Sequence, residues 1–262
     1  MSRQVTPAVG DAAVAFLRRH TTARVALGRR GAALPTVAHL DLQEAHARAR
    51  DAVHSTLDEN ALEAAVAPLG LPVHRVASAA PDRRTYLLRP DLGRRLAPGT
   101  TLPRAEGSVA LVAGDGLCAI GVGRWAPPLL HALVPLLRRD GFTPGPVVIA
   151  RQARVALGDA VGEALGAAAA IVLIGERPGL SATDSLGAYV TWEPRTGRLD
   201  SERNCISNIR ADGLSPVEAA AKIAWLLAAA RDLGATGTAL KDDQPLGQRL
   251  ARTGDGASVN NS

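Results

Sequence analysis

Val109-Ala110-Leu111-Val112-Ala113-Gly114-Asp115-Gly116 is the stretch of the sequence that most strongly indicates the fold. An unbroken apolar run is typical of a strand buried on both faces, and the glycines after it are typical of a tight turn. Two similar runs follow at Val147–Ala150 and Ala170–Ile174, and a fourth, alternating run covers Ala188–Trp192. Helical periodicity separates the first three runs, so a mainly parallel sheet with helices on both faces is predicted.

The remaining segments complete the predicted organisation. Helices are expected over residues 11–19, 36–53 (capped by Thr36), 57–67 and 155–165, and a hairpin or extended strand over 73–88. The capping box Ser215-Pro216-Val217-Glu218 predicts the start of a further helix, which Gly234 should end.

The fold class is therefore predicted to be α/β. A mainly helical N-terminal region, residues 1–106, precedes a doubly wound, mainly parallel-sheet Rossmann-like domain, residues 107–241. The polar, glycine-rich residues 242–262 are predicted to be a disordered tail.

Composition excludes several classes of protein. The 262 residues carry a net charge of only +5, without the clustered basic residues that nucleic-acid binding requires. Two cysteines, Cys118 and Cys205, exclude a disulfide scaffold and suit a reducing cytosol. The longest apolar run, residues 164–175, is too short to cross a bilayer, and the first ten residues lack the features of a secretory signal. A cytoplasmic location without membrane contact is expected.

The carboxyl ends of the predicted strands are the expected ligand-binding edge, because helix N-termini and loop N–H groups converge there. The side chains at those ends are Asp115, Arg151, Arg154 and Glu176. Glu176 could accept hydrogen bonds from amide donors of a ligand, or it could form only a surface pair with the adjacent Arg177.

Two other motifs leave alternatives open. Gly114–Ala119 loosely fits a dinucleotide-binding pattern, but it also fits a plain strand-to-helix turn, and Pro127 and Pro128 are expected to interrupt the helix that follows. Residues 204–209 are polar and short, which favours a loop that could enclose a ligand; Cys205 within it has no histidine nearby in sequence. The scattered histidines predict no metal site.

Several ordered blocks of the sequence resemble the small (light) subunit of adenosylcobalamin-dependent ethanolamine ammonia-lyase. The resemblance extends from about Thr22 to Lys241. Its strongest blocks are Ile174-Gly175-Glu176-Arg177-Pro178-Gly179-Leu180 and Arg203-Asn204-Cys205-Ile206-Ser207-Asn208-Ile209. One departure is Cys118, which stands where relatives usually carry serine.

The resemblance implies a cofactor-holding subunit of a carbon–nitrogen lyase that converts ethanolamine to acetaldehyde and ammonia. Adenosylcobalamin would lie between this chain and a large barrel subunit, which the N-terminal region would contact. Matching positions imply cobalamin contacts at Val155, Glu176 and Cys205, with no catalytic residue on this chain. The complex would be cytoplasmic, either free or inside a bacterial microcompartment.

No histidine lies in an Asp-x-His-x-x-Gly context, so the cofactor is expected to keep its own benzimidazole ligand, the base-on state. Two alternatives remain. The chain could be a nucleotide-binding redox or regulatory module that uses Gly114–Ala119, or an assembly subunit without any ligand contact.

Overall fold

The computed structural model of the protein describes residues 9–21 and 23–244. The helices are α1 Val9–Arg19, α2 Thr36–Val53, α3 Glu59–Val66, α4 Arg83–Leu88, α5 Ala119–Arg139, α6 Leu157–Leu165 and α7 Pro216–Leu233. The strands are β1 Val73–Ala77, β2 Val109–Gly114, β3 Pro144–Arg151, β4 Ala169–Gly175, β5 Leu186–Trp192 and β6 Asn204–Ile209. Most of the predicted disordered tail, residues 245–262, lies outside the described residues.

The strands form one six-stranded sheet in the order β1-β3-β2-β4-β5-β6. The first four of these neighbours pair in parallel, whereas β5 and β6 are added by antiparallel pairing. This mixed α/β architecture confirms the predicted fold class. Because β5 runs against β4, its first residue lies at the edge where the parallel strands end.

Alternate side chains of β2 show how the sheet is covered. Val109, Leu111 and Ala113 pack into a core formed with α3, α5 and α7. Ala110 and Val112 point the other way, into a second core formed with α6. Burial on both faces is the physical reason why the strand has no polar position.

Several local predictions are wrong. Residues 73–77 form strand β1, but residues 83–88 form helix α4 rather than a hairpin or an extended strand. Helix α5 continues through Pro127 and Pro128, because its apolar face is buried on the sheet through Leu129, Leu130 and Leu133, which outweighs the hydrogen bonds lost at proline. Residues 204–209 form strand β6 rather than a loop.

Both ends of α7 follow its local sequence, whereas the start of α2 differs from the prediction. The predicted capping box at Ser215 and Glu218 is present, and Gly234 ends α7 in a left-handed conformation. Thr36 is the first residue of α2 rather than its cap, and Pro35 precedes it. Strand β1, from the N-terminal part, joins the same sheet through β3; the predicted division at residue 106 stays a prediction.

A buried ion pair joins α6 to the segment before β6. Arg203 Nη1 lies 2.7 Å from both carboxylate oxygens of Asp159. Burial raises the pKa of Asp159 to about 6, and the Arg203 guanidinium opposes that rise. Arg203 Nη2 also donates to the Arg198 carbonyl, so one guanidinium fixes two segments.

Substitution Arg203→Met should destabilise the protein by about 3–5 kcal/mol near pH 8, because a buried carboxylate would lose its partner. Without Arg203 the folded-state pKa of Asp159 rises further above its unfolded value, so the folded state binds a proton as the pH falls. The loss should therefore be smaller at pH 5 than at pH 8. Urea unfolding of the Arg203→Met variant and of the unsubstituted protein at pH 5 and pH 8 measures this loss of stability. The exposed-pair control Arg104→Gln should show little loss at either pH; a pH-independent loss in Arg203→Met would contradict the argument.

Substitution Gly158→Ala should destabilise the protein by about 1–3 kcal/mol, the usual range for overpacking a core. A Cβ at Gly158 would lie 2.1 Å from Val172 Cγ2, whereas one at Gly123, also helical, would meet nothing within 4 Å. The matched Gly123→Ala variant should be neutral or more stable by up to about 1 kcal/mol. Chemical denaturation midpoints of the two variants compare them directly, and equal midpoints would show that α6 can move away from the sheet.

Candidate functional site

The carboxyl edge of the sheet is organised around Asp115, the first residue after β2. This carboxylate is 5% exposed and accepts hydrogen bonds from the backbone N–H groups of Gln152 at 2.9 Å and Ala153 at 3.0 Å. Burial raises its pKa, while those bonds and Arg83 lower it. Asp115 therefore fixes the loop after β3 and faces no open space for a ligand.

A stack around Tyr86 supports the same loop. Tyr86 is fully buried, and its hydroxyl donates to the Ala153 carbonyl at 3.0 Å. The guanidinium carbons of Arg83 and Arg154 lie 4.7 Å and 4.2 Å from the ring centroid. Arg154 also donates its backbone N–H to the Gly93 carbonyl at 2.8 Å. These contacts place the next residue, Val155, at the mouth of a cleft.

Val155 lies two residues before the start of α6 and is partly exposed. The cleft beside it has a volume of about 320 Å³. We call it the arginine cleft; its lining residues are Pro90, Arg94, Arg154, Val155, Ala156, Tyr189, Asp200 and Arg203. Val155 and Tyr189 also pack against the same apolar core, so the cleft opens directly beside the apolar surface of the sheet.

Glu176, the first residue after β4, is half-buried. Both of its carboxylate oxygens lie 3.3 Å from the backbone N–H of Asn208, at the long end of the hydrogen-bonding range. A carboxylate has more lone pairs than this single donor uses. Glu176 can therefore accept hydrogen bonds from a ligand, while Arg177 beside it is exposed.

Cys205 lies on β6 directly opposite Tyr189 on β5. Cys205 and Ser207 are exposed on the sheet face that α6 covers over β2 and β4, while α7 packs on the other face of β5 and β6. We call Tyr189, Cys205 and Ser207 the open platform. Burial and a hydrogen bond to Cys205 raise the pKa of Tyr189, so its phenol stays protonated at neutral pH.

The three predicted contact residues therefore surround the side chain of Tyr189, which the sequence had not indicated as a site residue. Val155 lines the same cleft as Tyr189, Cys205 is its cross-strand neighbour, and the Glu176 charge acts on its phenol. The alternation of residues 188–192 placed Tyr189 on a strand, but nothing in that pattern indicated which sheet face stays uncovered.

The other two residues nominated at this edge have structural partners. Asp115 fixes a loop, as described above, and Arg151 forms an ion pair with Glu59 of α3 at 3.0 Å. Cys118 is buried, and its thiol donates to the Thr183 carbonyl at 2.9 Å, a bond that a serine hydroxyl could also make.

The glycines of the dinucleotide-like motif face protein rather than open space. A Cβ at Gly116 would lie 2.3 Å from the Gly175 carbonyl oxygen, and one at Gly114 would lie 2.9 Å from the Ala153 Cβ. The Leu117 N–H also donates to Gly175. The motif is therefore a tight turn packed against the end of β4, and no room is left there for a pyrophosphate.

Three further observations limit what this site can be. In residues 9–21 and 23–244, no group of three or more histidine, cysteine or acidic side chains could hold a metal ion. Within the same ranges, none of the helices has both the length and the apolarity needed to span a bilayer. A larger groove of about 470 Å³ lies between α2 and residues 180–183 and contains none of Val155, Glu176 and Cys205.

Comparison with known proteins assigns the family. Residues 11–241 match the family described as ethanolamine ammonia-lyase light chain (EutC). The chain is 53% identical to the ethanolamine ammonia-lyase small subunit of Bradyrhizobium diazoefficiens over 243 residues, 90% of this chain and 93% of that one. It is 49% identical to the small subunit of Azotobacter vinelandii over 248 residues, 92% of each chain. The chain belongs to the ethanolamine ammonia-lyase small-subunit family and is thus one subunit of a two-chain lyase.

Proposed function

We propose that this chain holds adenosylcobalamin on the open platform, between Val155 and Glu176, while the large subunit closes over the other side of the cofactor. The observation that carries the proposal is that Val155, Glu176 and Cys205 surround one exposed sheet surface beside a cleft. The reaction served would be the conversion of ethanolamine to acetaldehyde and ammonia by the assembled enzyme.

The chemistry of the surface fits this cofactor. Cobalamin is a large ligand with an amide-bearing rim, and such ligands need an apolar support with a few well-placed polar groups. Val155 and the Tyr189 ring supply apolar support, and Glu176 keeps acceptor capacity for amide N–H groups. Cys205 is exposed and supplies a small surface beside Tyr189 rather than a nucleophile.

When bound, the cofactor supplies radical chemistry by homolysis of its cobalt–carbon bond. The residues of this chain bind and orient it. Asp115 acts one step behind the surface, because it fixes the loop that carries Val155. We assign no proton transfer to this chain: Tyr189 keeps its proton at neutral pH, and the ethanolamine pocket is proposed to lie on the large subunit.

The N-terminal helices are proposed to contact the large subunit. In the 18-residue helix α2 only Ala45 and Ala52 are buried. Among the side chains that the structure describes, the large apolar ones exposed on α1, α2 and the segment between them are Phe16, Leu17, Leu34, Val37 and Leu40. Covering such a surface in the complex would remove apolar area from water. The cytoplasm, with or without a microcompartment, remains the proposed location.

Substitution Glu176→Ala in the co-assembled two-subunit enzyme should weaken adenosylcobalamin binding about tenfold, because hydrogen bonds to a charged acceptor are lost. Glu176→Gln keeps one acceptor oxygen and should lose less. Titration followed by the visible spectrum of the cofactor measures both. The control Glu106→Ala removes an exposed carboxylate near the opposite edge of the sheet and should bind normally. Unchanged affinity in Glu176→Ala would favour an assembly subunit without ligand contact.

The cofactor should retain its own benzimidazole ligand when bound. The electron paramagnetic resonance spectrum of the cobalt(II) state should therefore show coupling to one nitrogen nucleus that does not change when the protein histidines are labelled with ¹⁵N. A change in that coupling on labelling would identify a protein imidazole as the ligand and would overturn the base-on proposal.

A further inference from the structure

The arginine cleft carries more positive charge than its function as a wall for Val155 requires. Three arginines line it, Arg94, Arg154 and Arg203, together with one carboxylate, Asp200. Arg203 is balanced by Asp159 behind it at 2.7 Å. Asp200 lies 3.9 Å from Arg94 and 3.6 Å from Arg203, which is beyond hydrogen-bonding distance.

Arg154 is the cation without a counter-charge. In the described ranges no carboxylate lies within ion-pair distance of its guanidinium, which contacts only the Tyr86 ring at 4.2 Å and the Tyr86 carbonyl at 3.3 Å. Counting the three arginines against Asp159 and Asp200 leaves a formal charge of +1. A cleft of this kind is complementary to a single negative charge.

A second, independent observation also indicates a missing acceptor. Arg203 is 7% exposed, and in the described part of the chain the Nε–H of Arg154 and that of Arg203, which lies 3.6 Å from Asp200 Oδ1, are buried without a hydrogen-bond partner. Buried donors of this kind are rare in folded proteins and are usually satisfied by water, an ion or a ligand. Both belong to residues that line the same cleft.

We propose that the arginine cleft binds a phosphodiester monoanion, with Arg154 as the principal cation and Arg94 assisting at the rim. Guanidinium groups hydrogen-bond phosphate oxygens in pairs, which a lysine in the same place could not do. The volume of about 320 Å³ accommodates a phosphate with part of its attached group.

The source of this phosphodiester follows from the proposed function, on which the inference therefore rests. Cobalamin carries one phosphodiester, in the loop that links the corrin to its benzimidazole. Val155 lines both the cleft and the proposed corrin surface, so one cofactor could occupy both. Free inorganic phosphate shares the chemistry, and the experiment must distinguish the two sources.

The test compares three cofactor forms on the co-assembled two-subunit enzyme. Adenosylcobalamin has the phosphodiester, adenosylcobinamide phosphate has a phosphate without the nucleotide base, and adenosylcobinamide has neither. Dissociation constants come from absorbance titration or calorimetry, so no turnover is needed. Arg154→Gln should weaken the two phosphate-bearing forms about tenfold and adenosylcobinamide less than twofold.

Substitution Asp200→Asn should change the affinity in the opposite direction from Arg154→Gln. Asp200 is 75% exposed in its side chain, so its loss should not disturb folding, and removing its charge should tighten binding of the phosphate-bearing forms without affecting adenosylcobinamide.

The matched control is Arg231→Gln, because Arg231 also stacks on an aromatic ring, that of Phe142 at 4.5 Å, yet lies near the start of β3, away from the cleft. It should bind every form normally.

Each outcome decides the proposal. An equal loss for all three cofactor forms in Arg154→Gln, or no loss for any, would overturn the phosphodiester site. If Glu176→Ala still weakens binding in that case, the proposed function survives; if neither variant changes binding, both are wrong. Binding of inorganic phosphate alone that Arg154→Gln abolishes, with adenosylcobalamin affinity unchanged, would assign the cleft to free phosphate and overturn the cofactor assignment.

If the Arg154→Gln variant fails to fold, a second variant, Arg94→Gln, tests the same site. Arg94 is more than half exposed, with Asp200 as its ion-pair partner, so Arg94→Gln should fold normally. It should show the same discrimination between cofactor forms at a smaller size, about threefold, and absence of that discrimination would overturn the site.

Discussion

The carboxylate of Asp115 fixes the loop after β3, on which the proposed contacts at Arg154 and Val155 depend. It accepts two backbone N–H groups from the loop after β3, and the carbonyl of Ala153 in that loop accepts the Tyr86 hydroxyl. A buried carboxylate is stable only with such partners. These bonds hold the loop in place, so Arg154 and Val155 project from it in fixed positions. Asp115 itself does not contact the proposed ligand.

The change from parallel to antiparallel pairing at β4 is the second constraint. Strands β3, β2 and β4 end together, but β5 starts at that edge and β6 returns to it. Glu176 therefore reaches the backbone of Asn208, and Tyr189 faces Cys205. Because α6 packs over β2 and β4, Cys205 and Ser207 of β6 stay exposed on that face, beside the half-buried Tyr189 of β5. The proposed cofactor would lie there against Tyr189 and Cys205, with the Glu176 carboxylate at the margin.

Much of this architecture could be predicted from sequence because two-sided burial leaves a direct pattern. The runs at β2, β3 and β4 contain no polar position, which only a covered sheet tolerates. Strand β6 escaped prediction because just two of its residues, Ile206 and Ile209, are buried, and their spacing breaks the two-residue period. A helix was expected after β2, but its continuation through Pro127 and Pro128 was not, since proline is a local signal that burial of an entire helix face can outweigh.

The candidate site was predictable in position but not in full composition. The ends of the predicted strands indicated Glu176, and the family resemblance added Val155 and Cys205. Tyr189 and the charge balance of the arginine cleft depend on contacts between segments distant in sequence, such as Arg203 with Asp159. No periodicity records such pairings.

Asn204 at the start of β6 has a consequence for the boundaries of the fold. Its side chain accepts the Gly237 N–H at 2.8 Å and donates to the Leu240 carbonyl at 3.0 Å, so the turn after α7 is fastened alongside the outermost strand. Unprotected strand edges are templates for uncontrolled association. The contacts that stabilise this edge therefore continue past α7 to Leu240, and a chain cut at the end of α7 would lose both hydrogen bonds of Asn204.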